Sequence, residues 1–205
     1  SLIIFPELCL VGYPPEDLIL RKKLLLEVNK YLNIIREFAY KKNVAIILGA
    51  PIALKSGIGN AAIFFNGTKK SILCKNNLPN YGVFDEKRIF QAGAPYKCIQ
   101  FKELRIGLMI CEDMWTNTIA KKLLKDKADL FICINASPYD HQKQHQRHDV
   151  AKHITELTKK PLIYVNQIGG QDELVFDGGS FVLDHNSNLI KRLKFWKEDT
   201  GVLKI

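Results

Sequence analysis

The stretch GLMICEDMW, residues 107–115, leads an apolar strand pattern directly into a cysteine and two acids. The apolar run predicts a strand at 105–110, paired with a strand at 97–101, and a helix is predicted to follow at 117–127. Polar and reactive residues at the end of a buried strand often carry function, so the loop that begins at Cys111 is a candidate functional segment.

Strand and helix patterns alternate along the rest of the chain. Further strands are predicted at 2–5, 44–48, 61–65, 71–74, 130–134 and 162–166. A helix is predicted from Glu16 and Asp17 through Lys42, another at 144–159, a structured loop at 75–90, turns at the pairs Gly169-Gly170 and Gly178-Gly179, and a hairpin running from Leu174 to Leu189. Strands that alternate with helices, together with hairpins, predict an α/β protein with mixed sheets in one domain spanning residues 1–205.

Composition excludes several classes of protein. The chain has 205 residues, of which 47% are hydrophobic and 25% charged, as in ordinary globular proteins rather than disordered or fibrous ones. Its apolar runs are far shorter than the ~18 residues of a membrane-spanning helix, so a soluble cytoplasmic protein is expected, with no membrane partner. The five cysteines are widely spaced without a CxxC pair, which argues against a disulfide framework and a zinc ribbon.

The charge pattern is basic but dispersed. Thirty Lys and Arg residues against 21 Asp and Glu residues give a net charge of +9. The lysines are spread along the chain in pairs and form no dense block interleaved with aromatic residues, so a solvated surface is favoured and no nucleic-acid partner is expected.

Three residues in separate segments together suggest one kind of chemistry: Glu7 in FPEL, Lys75 in KNNLP and Cys111 in ICED. Each alone has an ordinary explanation as a charged or buried side chain. In this order and with these neighbours they resemble the Glu-Lys-Cys pattern of the nitrilase superfamily of carbon-nitrogen hydrolases. The flanking blocks FPELCLVGYPPEDL, KNNLPNYGVFDEKRIF, NASPY and YVNQIGGQDELVFDGGSFV extend the resemblance, over essentially the whole chain, to the glutaminase domain of glutamine-dependent NAD synthetases.

The resemblance implies a fold and a mechanism. The expected fold is a nitrilase-type αββα sandwich with mixed β-sheets, lacking the strand and helix with which family members begin. The expected reaction is hydrolysis of the glutamine side-chain amide, in which Glu7 is the base, Cys111 forms a thioester, and Lys75 stabilises the oxyanion with the Glu112 N–H. A thiol that is mostly protonated at neutral pH needs such a base and such a cation beside it.

The resemblance also suggests further site residues. Tyr81, Glu112 and Ser137 are expected to line the glutamine pocket, and Lys143 to pair with the substrate carboxylate, although Gln142 stands where related domains often have glycine. Glu86 matches an additional acid near the lysine; the alternative is a surface ion pair with Lys87 or Arg88.

Cofactors and partners are expected outside this segment. The resemblance implies no metal or cofactor here, and we interpret His141, His145 and His148 as solvated residues rather than zinc ligands. ATP, Mg²⁺ and deamido-NAD are expected to bind a synthetase domain or subunit that receives the ammonia, and whose SGGxDS loop this sequence lacks. A homo-oligomer is expected for the full-length protein. Fragment, separate subunit and decayed gene product remain alternatives, as do a hydrolase of another small amide and an inactive interaction module.

Overall fold

A computed structural model describes residues 1–93 and 96–204. Its first sheet contains β1 (Leu2–Ile4), β2 (Ala45–Leu54), β3 (Gly57–Asn66) and β4 (Lys69–Cys74), in that spatial order. The edge strand β1 is parallel to β2, and the remaining neighbours are antiparallel. This sheet therefore carries the ends of two strands, β1 and β4, that the sequence associated with function.

The second sheet has six strands. In chain order the remaining strands are β5 (Ile99–Phe101), β6 (Leu104–Ile110), β7 (Leu130–Asn135), β8 (Leu162–Asn166), β9 (Ile168–Gln171), β10 (Leu174–Asp177), β11 (Phe181–Leu183) and β12 (Leu189–Arg192). Strands β9 and β10 form a separate hairpin, and the sheet order is β12-β11-β8-β7-β6-β5. The central strands β6, β7 and β8 are parallel, so their carboxyl ends meet at one edge.

The described residues form four α-helices and two 3₁₀ helices. They are α1 (Lys22–Lys41), α2 (Glu86–Ile89), α3 (Asn117–Lys125) and α4 (Lys143–Thr158), with 3₁₀ helices at Glu16–Leu20 and Cys111–Trp115. The apolar stripe of α1 packs on the first sheet, and α3 and α4 pack on the second. Across 1–93 and 96–204, no helix combines the length and the apolar character needed to cross a bilayer.

Alternation along the strands builds the sandwich. On β2, Ile46 and Leu48 face α1, whereas Ile47 between them packs toward the second sheet. Leu108 of β6 and Ile132 of β7 meet it from the other side. The layer order is therefore helix, sheet, sheet, helix, and the predicted αββα sandwich with mixed sheets is confirmed.

Three predictions about elements need correction. The helix predicted from Glu16 begins at Lys22, because Arg21 adopts an extended conformation with ψ 117° and separates it from the 3₁₀ helix. The turn predicted at Gly169-Gly170 is wrong, since both glycines lie in β9 and pair with β10. The strand at Leu174–Asp177 accordingly belongs to that hairpin, whereas β11 pairs with β8 and β12.

Candidate active site

The nucleophile candidate lies at the junction of a strand and a helical turn. Strand β6 ends at Ile110, and the 3₁₀ helix begins at Cys111, whose φ of +46° is unusual for a residue other than glycine. Such a conformation costs on the order of 1–3 kcal/mol and persists only where the surroundings impose it. Cys111 is buried, with a relative exposure of 5%.

Glu7 follows β1 and is fully enclosed. Its Oε1 accepts hydrogen bonds from Lys75 Nζ at 2.8 Å and Asn60 Nδ2 at 2.7 Å. Its Oε2 accepts the backbone N–H of Ala136 at 2.8 Å. The backbone at Glu7 passes so close to β2 that a Cβ added at Gly49 would lie 2.6 Å from the Glu7 Cα, which explains the glycine there.

Lys75 emerges from the end of β4 into the same buried space. Its Nζ also donates to Glu86 Oε1 at 2.7 Å, and its side chain is 1% exposed. Burial alone would lower the pKa of Lys75, but the carboxylates of Glu7 and Glu86 outweigh it and raise the pKa well above its usual value. Lys75 is therefore an ammonium held between two carboxylates.

Glu86 belongs to this cluster rather than to the surface. It lies on α2, is 3% exposed, and accepts the hydroxyl of Tyr13 at 2.9 Å in addition to Lys75. The alternative of a surface pair with Lys87 or Arg88 is wrong, because the Glu86 side chain points inward. Burial raises the pKa of Glu86 to about 7, with Lys75 opposing the shift.

The thiol of Cys111 is neutral in this arrangement. Burial raises its pKa well above the usual value, the Glu7 carboxylate raises it further, and the Lys75 ammonium opposes both. Attack by sulfur therefore requires that a base take the proton as the bond forms. Glu7 is the carboxylate whose charge acts on the thiol most strongly.

The predicted pocket residues fall into two groups. Tyr81 donates its hydroxyl to Glu112 Oε2 at 2.9 Å, and its ring contacts Phe84, with ring centres 5.5 Å apart. The Nζ of Lys143 lies 5.2 Å from the centre of the same Phe84 ring. Tyr81 and Lys143 thus both contact Phe84, and Tyr81 links them to Glu112, which directly follows Cys111. These three residues, all at least partly exposed, form the rim of the site.

Ser137 belongs to a separate buried network. Its Oγ accepts Arg147 Nε at 3.0 Å, and its backbone N–H donates to Asn166 Oδ1 at 3.0 Å. Arg147 also donates to the backbone oxygens of Ser137 and Pro138, and its Nη1 lies 2.6 Å from Asp177 Oδ1. Arg147 therefore fixes the loop that follows β7.

Several contributing residues were given no individual role from the sequence. They are Tyr13, Asn60, Asp113, Ala136, Arg147 and Asp177. Asn60 could have been noticed, because it is a polar residue directly before the apolar run 61–65. The backbone N–H of Ala136 could not, because a backbone contact leaves no pattern in the sequence. Among residues 1–93 and 96–204, no three His, Cys, Asp or Glu side chains lie together as metal ligands would.

Known proteins are similar to this chain over nearly its whole length. The carbon-nitrogen hydrolase family matches residues 1–205. Glutamine-dependent NAD(+) synthetase of Acinetobacter baylyi is 37% identical over 204 residues, which cover 97% of this chain and 37% of that protein. The protein of the same name from Thermotoga maritima is 36% identical over 201 residues, covering 97% of this chain and 35% of that protein. The chain thus spans little more than a third of these relatives' length.

Solved structures of related proteins are also similar to this chain. The glutamine-dependent NAD⁺ synthetase of Acinetobacter baumannii, solved with ADP, superposes with a TM-score of 0.88 at 36% identity over 97% of this chain and 38% of that one. A carbon-nitrogen hydrolase from Helicobacter pylori G27 gives a TM-score of 0.87 at 20% identity, covering 97% of this chain and 75% of that one, and so supports the fold alone.

Proposed function

The chain belongs to the carbon-nitrogen hydrolase family, and from that premise we propose that it hydrolyses the side-chain amide of glutamine to glutamate and ammonia. The observation that carries the proposal is the buried contact of Lys75 with Glu7, an ammonium and a carboxylate whose charges both act on the neutral Cys111 thiol. An activated cysteine of this kind suits acyl transfer from an amide.

The steps follow from the charges. Glu7 takes the thiol proton as the Cys111 sulfur attacks the amide carbonyl, and Lys75 with the backbone N–H of Glu112 stabilises the resulting oxyanion. The intermediate collapses when Glu7 returns the proton to the departing nitrogen, which leaves as ammonia. Glu7 then activates a water that hydrolyses the thioester, releasing glutamate and restoring the thiol.

The rim residues suit the polar ends of glutamine. The carboxylate of Glu112, oriented by Tyr81, complements the substrate ammonium, and Lys143 complements the substrate carboxylate. Ser137 contributes through the loop that Arg147 holds in place. This division of charge favours glutamine over a simple aliphatic amide, which has no charged ends.

The ammonia acceptor is proposed from the relatives. Their name, glutamine-dependent NAD(+) synthetase, and the share of their length that lies outside this match support a synthetase part that consumes ammonia. In this proposal that part binds ATP, Mg²⁺ and deamido-NAD, and the segment described here contributes the glutaminase. A homo-oligomer of the longer protein belongs to the same proposal.

The test combines turnover with covalent trapping. Glutamate and ammonia released from glutamine are measured, and the chain is exposed to an electrophilic glutamine analogue and weighed intact. One adduct is expected, lost in Cys111→Ala and retained in Cys98→Ala, since Cys98 directly precedes β5 and its thiol donates to the Leu123 carbonyl of α3 instead. Faster turnover of simple aliphatic amides than of glutamine would favour the alternative of a hydrolase that acts on another small amide. A folded chain without an adduct would favour an inactive interaction module.

A further inference from the structure

Asp113 is a fully buried carboxylate that the proposed mechanism does not use. Each of its oxygens accepts two hydrogen bonds. Oδ1 accepts the backbone N–H groups of Asn76 at 3.1 Å and Asn77 at 2.8 Å. Oδ2 accepts the backbone N–H of Ile110 at 3.2 Å and the hydroxyl of Tyr96.

Three of these four donors lie at or just beyond strand ends of the two sheets. Asn76 and Asn77 directly follow Lys75, where the chain leaves β4 of the first sheet. Ile110 is the last residue of β6 in the second sheet and directly precedes Cys111. One carboxylate therefore joins the two strand ends that carry the ammonium and the thiol.

The contact also bears on the backbone of the nucleophile. Cys111 has a positive φ, and the bond from Ile110 N–H to Asp113 closes the turn around it. Burial raises the pKa of Asp113, and its hydrogen-bond donors oppose the shift. A buried carboxylate saturated by four donors resists movement, because any shift leaves donors unpaired.

We propose that Asp113 is a positioning residue that fixes the Lys75 ammonium relative to the Cys111 thiol by tying the end of β4 to the end of β6. This inference rests on the proposed function, since it assigns Asp113 a part in the same site. It acts through Lys75 and Cys111 and touches no substrate.

The decisive variant is Asp113→Asn, which keeps the volume but replaces one accepting oxygen by a donor. The rate at which iodoacetamide alkylates Cys111 is measured against pH, together with kcat and KM for glutamine. We expect alkylation at pH 7 to fall at least about tenfold and its midpoint to move to higher pH, because a displaced Lys75 supports the thiolate less. The kcat is expected to fall about 10²–10³-fold, as on loss of an oxyanion donor, with KM changed less than about threefold.

The matched control is Asp126→Asn. Asp126 also accepts a backbone N–H, from Cys98 at 2.7 Å, but it lies at the end of α3 and not at the joined strand ends. Its variant is expected to leave the alkylation midpoint and kcat unchanged. A folded Asp113→Asn chain that loses stability but keeps the wild-type midpoint and kcat would overturn the proposal.

A milder variant covers a failure to fold. Tyr96→Phe removes one of the four donors and is expected to shift the midpoint in the same direction by less. If Asp113→Asn does not fold and Tyr96→Phe leaves the midpoint unchanged, the proposal fails. If wild-type Cys111 is alkylated with the expected profile but glutamine is not hydrolysed, the proposed function fails while the role of Asp113 stands.

Discussion

Lys75 Nζ lies 2.8 Å from Glu7 Oε1, and neither side chain is more than 1% exposed. The two residues come from opposite edges of the first sheet, where β4 and β1 end. The same Nζ also forms an ion pair with the Glu86 carboxyl group, so one ammonium is paired with two buried acids. Lys75 therefore contributes to stability as well as to the proposed catalysis.

Lys75→Met is expected to lower the free energy of unfolding at pH 8 by about 3–5 kcal/mol, because it leaves buried carboxylates without a cation. The double variant with Glu86→Gln is expected to recover part of this loss without recovering activity. Urea unfolding measures both. Lys70→Met, at an exposed position on the same strand, is the control and should stay within about 0.5 kcal/mol of wild type. A Lys75→Met chain as stable as the control would contradict the prediction.

The raised pKa of Glu86 predicts a pH-dependent stability. The folded pKa of about 7 exceeds the ordinary value of 4.5, so between these pH values the folded state holds a proton that the unfolded state releases. The contribution of Glu86 to stability therefore falls as pH rises through this window and is constant above it. Relative to Glu86→Gln, wild type should lose on the order of 3 kcal/mol between pH 4.5 and pH 8.

Denaturant midpoints across the pH range check this, with Glu156→Gln as control because Glu156 is half exposed on α4. The stability difference between wild type and that control should change little with pH. A flat difference between wild type and Glu86→Gln would mean that Glu86 is not buried as described.

Tyr81→Phe tests the rim. The variant removes the hydroxyl that orients Glu112, at a position 55% exposed, so stability should stay within about 0.5 kcal/mol. We expect KM for glutamine to rise about three- to tenfold with kcat nearly unchanged, since the bond orients a binding group. Steady-state kinetics decide, and Tyr40→Phe on α1 should leave KM as it is. A fall in kcat at constant KM would assign Tyr81 to the chemical step instead.

Arg147→Met tests the buried network. It leaves the Asp177 carboxylate without its cation, and removes the hydrogen bonds that Arg147 donates to Ser137 and Pro138, so a loss of about 3–5 kcal/mol is expected. Arg105→Met removes a partly exposed pair with Asp126 and should cost no more than about 1 kcal/mol. Thermal or urea unfolding of the two variants gives the comparison, and equal losses would contradict the prediction.

The sequence was sufficient for the family and for the layers of the fold. The resemblance to carbon-nitrogen hydrolases is confirmed. Apolar runs in the sequence located most strands, because a strand that is buried on both faces is apolar along its whole length. The β9 strand was missed since its glycines carry no strand pattern, and Gly169 adopts a φ of +124° inside it.

Side-chain burial was harder to predict. Glu86 stands next to Lys87 and Arg88 in the sequence, which suggested a surface pair, yet its inward contacts come from Lys75 and from Tyr13, 73 residues away. Asn60 and Asp113 likewise gain their roles from distant partners. Contacts of this kind depend on how strands are arranged in space, which local periodicity does not encode.

The hydrogen bond between Glu7 and the Ala136 N–H joins positions 129 residues apart. At a synthesis rate of about 5–20 residues per second, Ala136 is made about 6–26 s after Glu7. Until then the Glu7 charge must remain hydrated, since enclosing it early would leave it short of donors. The complete site therefore cannot close during synthesis before Ala136 has been made, and the first turnover of a newly made chain would report that both sheets have already docked.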